Sequence, residues 1–261
     1  MTIERVEPGT ADWAEWSAEH LSRHGVAAEH AAGKRVLDAG TGFGYGAAIL
    51  LAAGAKSVQA VDIDPHTITG ATERFAGAID FFVDDCETLA KVRGPVDLVC
   101  SFENIEHLKR PEAFVASAAK LLGDDGVLLC STPDRAATAP FENGKPVNPF
   151  HCHEWYRDEF AALLSTHFRH VDMRVQVMSA ALRRRAEAVL TLQRALSLIW
   201  RDPSVRLTRG VAKMMGKGRD ELDVTALAAS APSDFPVVHA SVAALFGAPL
   251  CHFAICTGPI H

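Results

Sequence analysis

Three alternating glycines follow a short apolar segment in the first part of the chain. Residues 36–46 read VLDAGTGFGYG, so Gly40, Gly42 and Gly44 separate residues typical of a buried strand from residues typical of a helix. Glycine is needed where the backbone adopts a positive φ or approaches a ligand closely, and the first turn of a helix offers unpaired N–H groups. This strand–turn–helix pattern predicts a site for a nucleotide or a nucleoside-like cofactor.

Carboxylates near this turn suit different parts of such a ligand. Asp62 ends the second predicted strand, about twenty residues past the glycines, where an acid accepts hydrogen bonds from ribose hydroxyls. Its neighbour Asp64 precedes Pro65, which is typical of a helix N-cap and the first helical residue. Asp38 lies just before the first glycine, where a carboxylate disfavours a pyrophosphate and favours a cationic ligand group.

The glycine spacing leaves two cofactor classes open. Gly42-x-Gly44-x-x-Ala47 fits the G-x-G-x-x-A form of the dinucleotide fingerprint, so an NAD-dependent oxidoreductase is one interpretation. The other is S-adenosylmethionine (SAM), a nucleoside cofactor with a cationic α-amine and no phosphate. Asp38 favours SAM.

The elements that position these residues alternate between strand and helix. Apolar, β-branched strands are predicted at 34–39, 57–63, 79–83, 96–101 and 126–131, with helices at 47–53, 65–75 and 111–122 between them. This alternation predicts a parallel sheet with helices on both faces. One or two helices are predicted over 11–32, a helix over 154–166, and later strands over 170–178 and 250–257.

Composition and charge restrict the class of protein. The chain has 261 residues, 48% hydrophobic and 22% charged, with a net charge of −6, which excludes a disordered chain and gives no overall attraction to nucleic acid or anionic lipid. The polar start and the absence of a long apolar run favour a soluble, cytoplasmic protein without a signal peptide or membrane span. The six cysteines form no C-x-x-C pair, so we expect free thiols, with Cys100, Cys130 and Cys256 buried.

One segment has a charge opposite to that of the rest. Residues 181–219 carry eight Arg and two Lys against Glu187 and Asp202, a local net charge of +8. The segment is interpreted as a solvated helix face, as a basic lid over an anionic acceptor, or as a surface that docks on the acidic body of a second copy in a homodimer.

Four motifs in order resemble the class I SAM-dependent methyltransferases. They are VLDAGTGFGYG at 36–46, FVDDCETL at 82–89, VDLVCSFENIEHL at 96–108 and STPD at 131–134, where Asp134 stands in place of the usual Asn. The resemblance implies a Rossmann-like α/β fold with a seven-stranded sheet, mostly parallel with an antiparallel last strand. It implies an N-terminal helical lid at 1–33, a SAM-binding core at 34–178, a basic, partly helical insertion at 179–248 and the last strand at 249–261.

The resemblance also assigns cofactor contacts. In the family, an aspartate at the position of Asp85 binds the adenine amino group, and the next N–H, here of Cys86, reaches a ring nitrogen. SAM is then the cofactor and S-adenosylhomocysteine (SAH) the product. The full predicted cofactor site is Asp38, Gly40, Gly42, Gly44, Asp62, Ile63, Asp85, Cys86 and Phe102.

A narrower resemblance is to ubiquinone-methyltransferase-like enzymes that act on small molecules and glycans. It lies in residues 148–156, NPFHCHEWY, and in residues 19–24, EHLSRH, where His24 replaces a usual tyrosine. It implies methylation of a small-molecule acceptor, most simply at a hydroxyl of a sugar or natural product. N- or C-methylation is an alternative, and nucleic-acid methylation through the basic insertion is less favoured because few aromatics lie near the arginines.

Histidines at the carboxyl edge of the sheet are the candidate catalytic residues. A hydroxyl is a weak acid, so its methylation calls for a base, and His107, His151 and His153 follow the fourth and fifth predicted strands. Local hydrogen bonding of His107 and helix-entry packing of the other two are the alternatives. We expect no metal, although His151 and His153 with Glu154 form a possible ligand set.

Two polar residues of the first helix have two interpretations. Arg23 and His20 either contact the methionyl carboxylate and close over the cofactor, or belong to a solvated amphipathic face.

Overall fold

The computed structural model describes residues 7–138, 146–182, 184, 231–239 and 249–261. A single sheet forms the centre of this part of the chain. Its strands are β1 Arg35–Ala39, β2 Ser57–Asp62, β3 Asp80–Val83, β4 Val96–Phe102, β5 Leu122–Pro133, β6 Phe168–Val177, β7 Val237–His239 and β8 Pro249–Pro259. Five helices flank it: α1 Ala11–Ala28, α2 Tyr45–Ala52, α3 Pro65–Arg74, α4 Pro111–Leu121 and α5 Arg157–Ser165.

The strand order is β3-β2-β1-β4-β5-β8-β6-β7. Strands β1 to β5 pair in parallel, and β8 lies antiparallel between β5 and β6. This confirms the predicted mostly parallel sheet with an antiparallel last strand. It also places the carboxyl ends of β1, β2 and β4 side by side, which is where open α/β sheets bind ligands.

The predicted number of seven strands is wrong, because the described residues contain an eighth. Strand β7 lies within the segment 179–248 that was assigned to the insertion, and it pairs antiparallel with β6 through Val175 and Val238. Three residues are too few to show the period-two alternation that identifies a strand. Most of the basic segment 181–219 lies outside the described residues, so its roles as lid or dimer surface stay predictions.

The sheet buries a hydrophobic layer on each face. Val36 packs in the same cluster as Leu50 of α2, whereas the next residue, Leu37, packs in a second cluster with Phe114 of α4 and Phe160 of α5. Successive side chains of a strand point to opposite faces, so the two clusters confirm helices on both sides.

The six cysteines are free thiols, and Cys152 is the exposed one. Cys100, Cys130 and Cys256 are buried, as predicted. None of the described helices is both long and apolar enough to cross a membrane.

Helix α1 is one helix rather than two, and it is hydrogen-bonded to residues that lie far along the sequence. The Ser22 hydroxyl donates to the carbonyl oxygen of Phe235 at 2.6 Å, and the Gln176 amide donates to the carbonyls of Glu19 and Phe235 at 3.0 and 3.2 Å. These contacts hold α1 against β6 and the short 3₁₀ helix Pro232–Asp234.

An ion pair connects the starts of β1 and β4. The backbone N–H, Nε and Nη2 of Arg35 all donate to the Asp97 carboxylate, at 2.8, 3.0 and 2.7 Å. The Arg35 side chain, by these hydrogen bonds, lowers the pKa of Asp97 to about 2 from its ordinary 3.8. Because the folded-state pKa is depressed, this stabilisation is present above the unfolded-state pKa and is lost as the pH falls through the folded-state value.

We expect Asp97→Asn to lower the free energy of unfolding by about 1–2 kcal/mol at neutral pH, since charge-assisted hydrogen bonds are replaced by weaker ones. The difference from the unmodified protein should narrow from about pH 4 toward about pH 2. Chemical denaturation at several pH values measures it. Asp80→Asn is the matched control, because the Asp80–Arg93 pair is largely exposed and such pairs contribute little. An equal loss in both variants would contradict a special role for Asp97.

Candidate active site

The glycine turn leaves the carboxyl end of β1 and packs on the segment that follows β4. Gly40 has a φ of 79°, and its N–H donates to the carbonyl oxygen of Val61 at 2.9 Å. A Cβ at this position would lie 2.5 Å from Cγ of Asn104. Any larger residue at position 40 would therefore combine a strained backbone with a steric clash. The glycine turn is thus in direct contact with the segment that follows β4.

Asp38 is buried directly below this turn. Its carboxylate accepts a hydrogen bond from the Thr41 hydroxyl at 2.7 Å. Burial raises the pKa of Asp38, while the nearby His24 opposes this shift. Burial also lowers the pKa of His24. Its role as the partner of a cationic ligand group stays a prediction.

Asp62 joins the end of β2 to the glycine turn. Its carboxylate accepts from the N–H of Gly42 at 3.1 Å and from the N–H of Asp64 at 3.0 Å, and the residue is 5% exposed. Asp64 accepts from the N–H of His66 at 2.9 Å, which confirms that it caps α3. Next to Asp62, Ile63 is 63% exposed, an apolar surface beside the predicted ribose site.

Asp85 and Cys86 follow β3 at the same edge of the sheet. Asp85 accepts from the N–H of Glu87 at 2.9 Å, and the preceding Asp84 donates its N–H to the carbonyl of Asp62 at 3.0 Å. Cys86 is buried, and burial raises its thiol pKa to about 12. A neutral thiol is a poor nucleophile, so the candidate ligand contact of Cys86 is its backbone N–H.

Gly44 and Phe102, the two remaining residues of the predicted cofactor site, have contacts that shape and pack the fold. Gly44 is the N-cap of α2 with a φ of 78°. Phe102 is buried; it stacks on Phe253 with ring centroids 5.5 Å apart and meets His24 edge to face at 5.0 Å.

Helix α1 lies across the start of α2. His20 Nδ1 is 3.0 Å from the Tyr45 hydroxyl, and Trp13 meets the Tyr45 ring edge to face with centroids 4.9 Å apart. The His24 ring packs so close to Gly46 that a Cβ there would lie 2.0 Å from Nε2. The sequence did not identify this contact, since nothing in a local pattern relates positions 24 and 46.

Arg23 is buried rather than part of a solvated helix face, so that interpretation is wrong for this residue. It is 1% exposed, and its Nη1 donates to Gln176 Oε1 and lies 3.6 Å from the Cys251 sulfur. Burial by itself lowers the pKa of Arg23, but Glu103 and other nearby groups raise it above the ordinary value. Among the described residues its Nε has no hydrogen-bond partner, and buried polar atoms of that kind call for a ligand or water.

The structure brings His107 and His151 together. Their ring centroids are 5.1 Å apart in an edge-to-face arrangement. His107 ends the 3₁₀ helix Ile105–His107, and its Nδ1 is 3.0 Å from the carbonyl oxygen of Phe150. His151 Nδ1 is 2.8 Å from Glu154 Oε1.

His153 is held apart from this pair. Its ring stacks on Trp155 with centroids 5.5 Å apart, and Nε2 is 3.4 Å from the carbonyl oxygen of Lys109. The N–H groups of Cys152 and His153 both donate to the carbonyl of Glu106, at 2.8 and 3.2 Å. These hydrogen bonds join the loop of the N-P-F-H motif to the segment after β4.

Glu106 is the functional candidate that sequence reasoning missed. It is 1% exposed and accepts from the Thr132 hydroxyl at 3.0 Å. Burial, together with the neighbouring Glu103, holds the pKa of Glu106 well above its usual range. One potential ligand atom from each of Glu106, His107 and His151 lies within 4.8 Å of the others. The adjacent Glu106 and His107 in the motif at 96–108 were the sequence feature that could have identified Glu106.

The sheet order and the glycine turn together define an α/β protein with a nucleoside-binding edge. A sequence profile described as "Methyltransferase domain" matches residues 16–200, and the chain belongs to this family, that of the class I SAM-dependent methyltransferases.

Two relatives agree with this assignment. The chain is 36% identical to a Mycolicibacterium smegmatis protein named "Probable S-adenosylmethionine-dependent methyltransferase" over 64% of this chain and 63% of that protein. It is 35% identical to a "Ubiquinone biosynthesis O-methyltransferase" of Xanthomonas oryzae over 41% of this chain and 46% of that protein. The chain therefore spans less than two thirds of the length of these relatives.

Similarity of fold extends further than similarity of sequence. A chain in the Haloferax volcanii complex between the Trm112 methyltransferase activator and a methyltransferase matches 98% of this chain and 99% of its own, with a TM-score of 0.56 and 17% identity. At that identity the match supports the fold alone.

We expect Gly46→Ala to destabilise the protein by roughly 1–3 kcal/mol, because the added methyl would overlap the buried His24 ring. Tyr45 and Phe102 pack against that ring, so it has little room to move. Gly25→Ala is the control: Gly25 lies in α1 with nothing within 4 Å of an added Cβ, and there alanine should stabilise by about 0.5–1 kcal/mol. Thermal and denaturant unfolding give both values. A neutral Gly46→Ala would contradict the close packing of His24.

Proposed function

We propose that this protein transfers the methyl group of SAM to a hydroxyl oxygen of a small molecule. The observation that carries the proposal is the His107–His151 pair, which lies next to a segment that packs on the glycine turn. Asn104, three residues before His107, packs on Gly40. The group that would activate an acceptor and the turn that would hold the cofactor are therefore connected through one short segment.

The residues at this edge fit SAM part by part. Asp62 would accept hydrogen bonds from the ribose hydroxyls, Asp85 and the Cys86 N–H would contact the adenine, and the exposed Ile63 would cover its apolar face. Space above Gly42, where an added Cβ would meet nothing within 4 Å, lets a ligand approach the backbone. Gly40 and Gly44 would shape the turn around that space, and Phe102 would support it from below.

The amino-acid end of SAM carries an ammonium group and a carboxylate. Asp38 would pair with its α-amine. Arg23 would face its carboxylate, which agrees with a buried guanidinium whose Nε has no partner among the described residues. Helix α1 would then act as a lid, since it carries Arg23 and lies across the start of α2.

Acceptor activation is assigned to His107 and His151. Bound SAM supplies an electrophilic methyl on a sulfonium, so this chain must align the acceptor oxygen, keep water out and remove the hydroxyl proton. Both rings have Nδ1 engaged by an oxygen, so Nε2 is the nitrogen that would accept the hydroxyl proton. In His151 the acceptor hydroxyl would take the place of the Asn148 amide, which lies 3.0 Å from Nε2. His153 would instead fix the loop, because it stacks on Trp155.

The relatives favour an oxygen acceptor. The Xanthomonas oryzae relative is named an O-methyltransferase of ubiquinone biosynthesis, and a Laribacter hongkongensis relative, 32% identical over 44% of this chain, is named a malonyl-[acyl-carrier protein] O-methyltransferase. The Laribacter hongkongensis name indicates an acceptor bound to a carrier protein, so the relatives agree on an oxygen acceptor more than on a small free molecule. An anionic acceptor and a homodimer through the basic insertion remain predictions.

Removal of the carboxylate that would accept hydrogen bonds from the ribose should weaken cofactor binding. Asp62→Ala is expected to lower SAM and SAH affinity tenfold or more, because a charge-assisted hydrogen bond contributes about 1.5–3 kcal/mol. Isothermal calorimetry measures it. Asp64→Asn is the matched control, since it removes a neighbouring charge while asparagine still caps α3. Unchanged SAM affinity in Asp62→Ala would refute the cofactor assignment.

Loss of the acceptor-activating pair should affect turnover and not cofactor binding. With a panel of sugars, phenols and amines, SAH release and the mass of the methylated product identify an acceptor. On that acceptor, His107→Ala and His151→Ala are each expected to lower kcat by about 10²–10⁴-fold with SAM affinity nearly intact. Mild effects in both variants would favour an amine acceptor and contradict O-methylation.

A further inference from the structure

We propose that Glu106, His107 and His151 bind one divalent transition-metal cation of the zinc class. Potential ligand atoms from all three lie within 4.8 Å of one another. The inference rests on the proposed function, since the cation would act on the same acceptor hydroxyl. It departs from the expectation of no metal, and it replaces His153 and Glu154 of the possible ligand set with His107 and Glu106.

Hydrogen bonding determines which nitrogen of His107 can bind a metal. Its Nδ1 is 3.0 Å from the carbonyl oxygen of Phe150. A carbonyl oxygen can only accept, so Nδ1 carries the proton and donates. The lone pair is therefore on Nε2.

The tautomer of His151 follows from a chain of contacts. The N–H of Phe150 donates to Oδ1 of Asn148 at 3.0 Å, so the Asn148 amide nitrogen is the atom that faces His151 Nε2, also at 3.0 Å. That amide nitrogen can only donate, so Nε2 of His151 carries a lone pair. Nδ1 then donates to Glu154 Oε1 at 2.8 Å, and the Thr138 hydroxyl donates to the other carboxylate oxygen of Glu154 at 2.6 Å.

This arrangement is the one that supports metal-binding histidines. Such residues donate their second ring N–H to a carboxylate or a backbone carbonyl, which fixes the ring and raises its basicity. His151 has the buried carboxylate of Glu154, and His107 has the carbonyl of Phe150. A metal at His151 Nε2 would take the place of the Asn148 amide.

The ligand-bearing segments are fixed to each other. The carbonyl of Glu106 accepts the N–H groups of Cys152 and His153, so the loop with His151 is tied to the residue that supplies the carboxylate. The ligand atoms lie within 4.8 Å of one another. Because Zn–N and Zn–O bonds are only about 2.0–2.2 Å long, side-chain rotation would have to bring these atoms about an ångström closer together when the metal binds.

The donor set selects the cation. Two imidazole nitrogens and one carboxylate oxygen suit zinc and its first-row neighbours, and three protein ligands leave a coordination position open, as in catalytic zinc sites. Mg²⁺ prefers oxygen ligands and an octahedral shell, so it fits this set less well.

The open position would receive the acceptor hydroxyl. A bound divalent cation lowers the pKa of a coordinated O–H, as it does for water, and the released proton passes to solvent. With the cation bound, the Nε2 atoms of His107 and His151 are ligands and not proton acceptors, so the cation replaces their role as the base. The new O–CH₃ bond forms as the S–CH₃ bond breaks, and the bonding electron pair stays on sulfur.

Titration with the metal alone tests the site without an acceptor. Full-length protein is stripped with a chelator, desalted and titrated with Zn²⁺ by calorimetry and with Co²⁺ by visible absorption. We expect one equivalent to bind saturably, with N/O-type cobalt bands. His107→Ala and His151→Ala should each weaken Zn²⁺ binding at least tenfold. His107→Gln, closer in size to histidine, guards against misfolding as the cause.

Two control variants isolate the proposed ligands. His153→Phe, which keeps a ring to stack on Trp155, and Cys152→Ser change neighbouring potential ligands and should leave Zn²⁺ affinity unchanged. Absence of saturable binding, equal weakening by His153→Phe, or binding lost only in Cys152→Ser with thiolate charge-transfer bands would each overturn the proposal.

Turnover separates this inference from the proposed function. With an acceptor identified from the panel, metal-free protein should lose at least tenfold in kcat and recover it on addition of Zn²⁺. Full activity in metal-free protein, with a large loss in His107→Ala, would overturn the metal site and leave the O-methyltransferase assignment in place. One-equivalent Zn²⁺ binding without methylation of any hydroxyl in the panel would support the site and count against O-methylation.

Discussion

The parallel register between β1 and β4 is the constraint on which the candidate site depends. Asp38 pairs with Cys100 across these strands, so β1 and β4 end next to each other at the carboxyl edge of the sheet. Asn104 can then pack on Gly40, and Glu106 and His107 follow within one 3₁₀ turn. The hydrogen bonds from Cys152 and His153 to the Glu106 carbonyl extend the same alignment to the loop after β5. A one-step change of register would separate the cofactor turn from the histidine pair.

Local chemistry was predictable from the sequence, and distant contacts were not. The glycine turn, the cap formed by Asp64 and the alternation of strands and helices each depend on neighbouring residues, and all three appear in the structure. The proximity of His107 and His151 depends on how two loops meet across the sheet edge, which residue spacing does not encode. The burial of Arg23 was missed for a similar reason, because its partners Gln176 and Cys251 are far away in the chain.

Buried polar groups are concentrated where function is proposed. Asp38, Asp62, Glu106 and Arg23 are each almost fully covered, although burying charge without compensation is costly. Most of them have hydrogen-bond partners, whereas Arg23 Nε has none within the part of the chain that the structure describes. This uneven satisfaction is typical of a site built for a ligand, where local stability is sacrificed for recognition.

The attachment of α1 has a consequence for the order in which the molecule is made. Ser22 is bonded to Phe235, 213 residues later, and Gln176 reaches back to Glu19. During synthesis from the N-terminus, α1 leaves the ribosome well before its docking partners, because Gln176 and Phe235 are 157 and 213 residues beyond the α1 residues that they contact. The growing chain can therefore assemble β1 to β5 while α1 is still undocked, and α1 covers the start of α2 only after β6 and Phe235 have been translated.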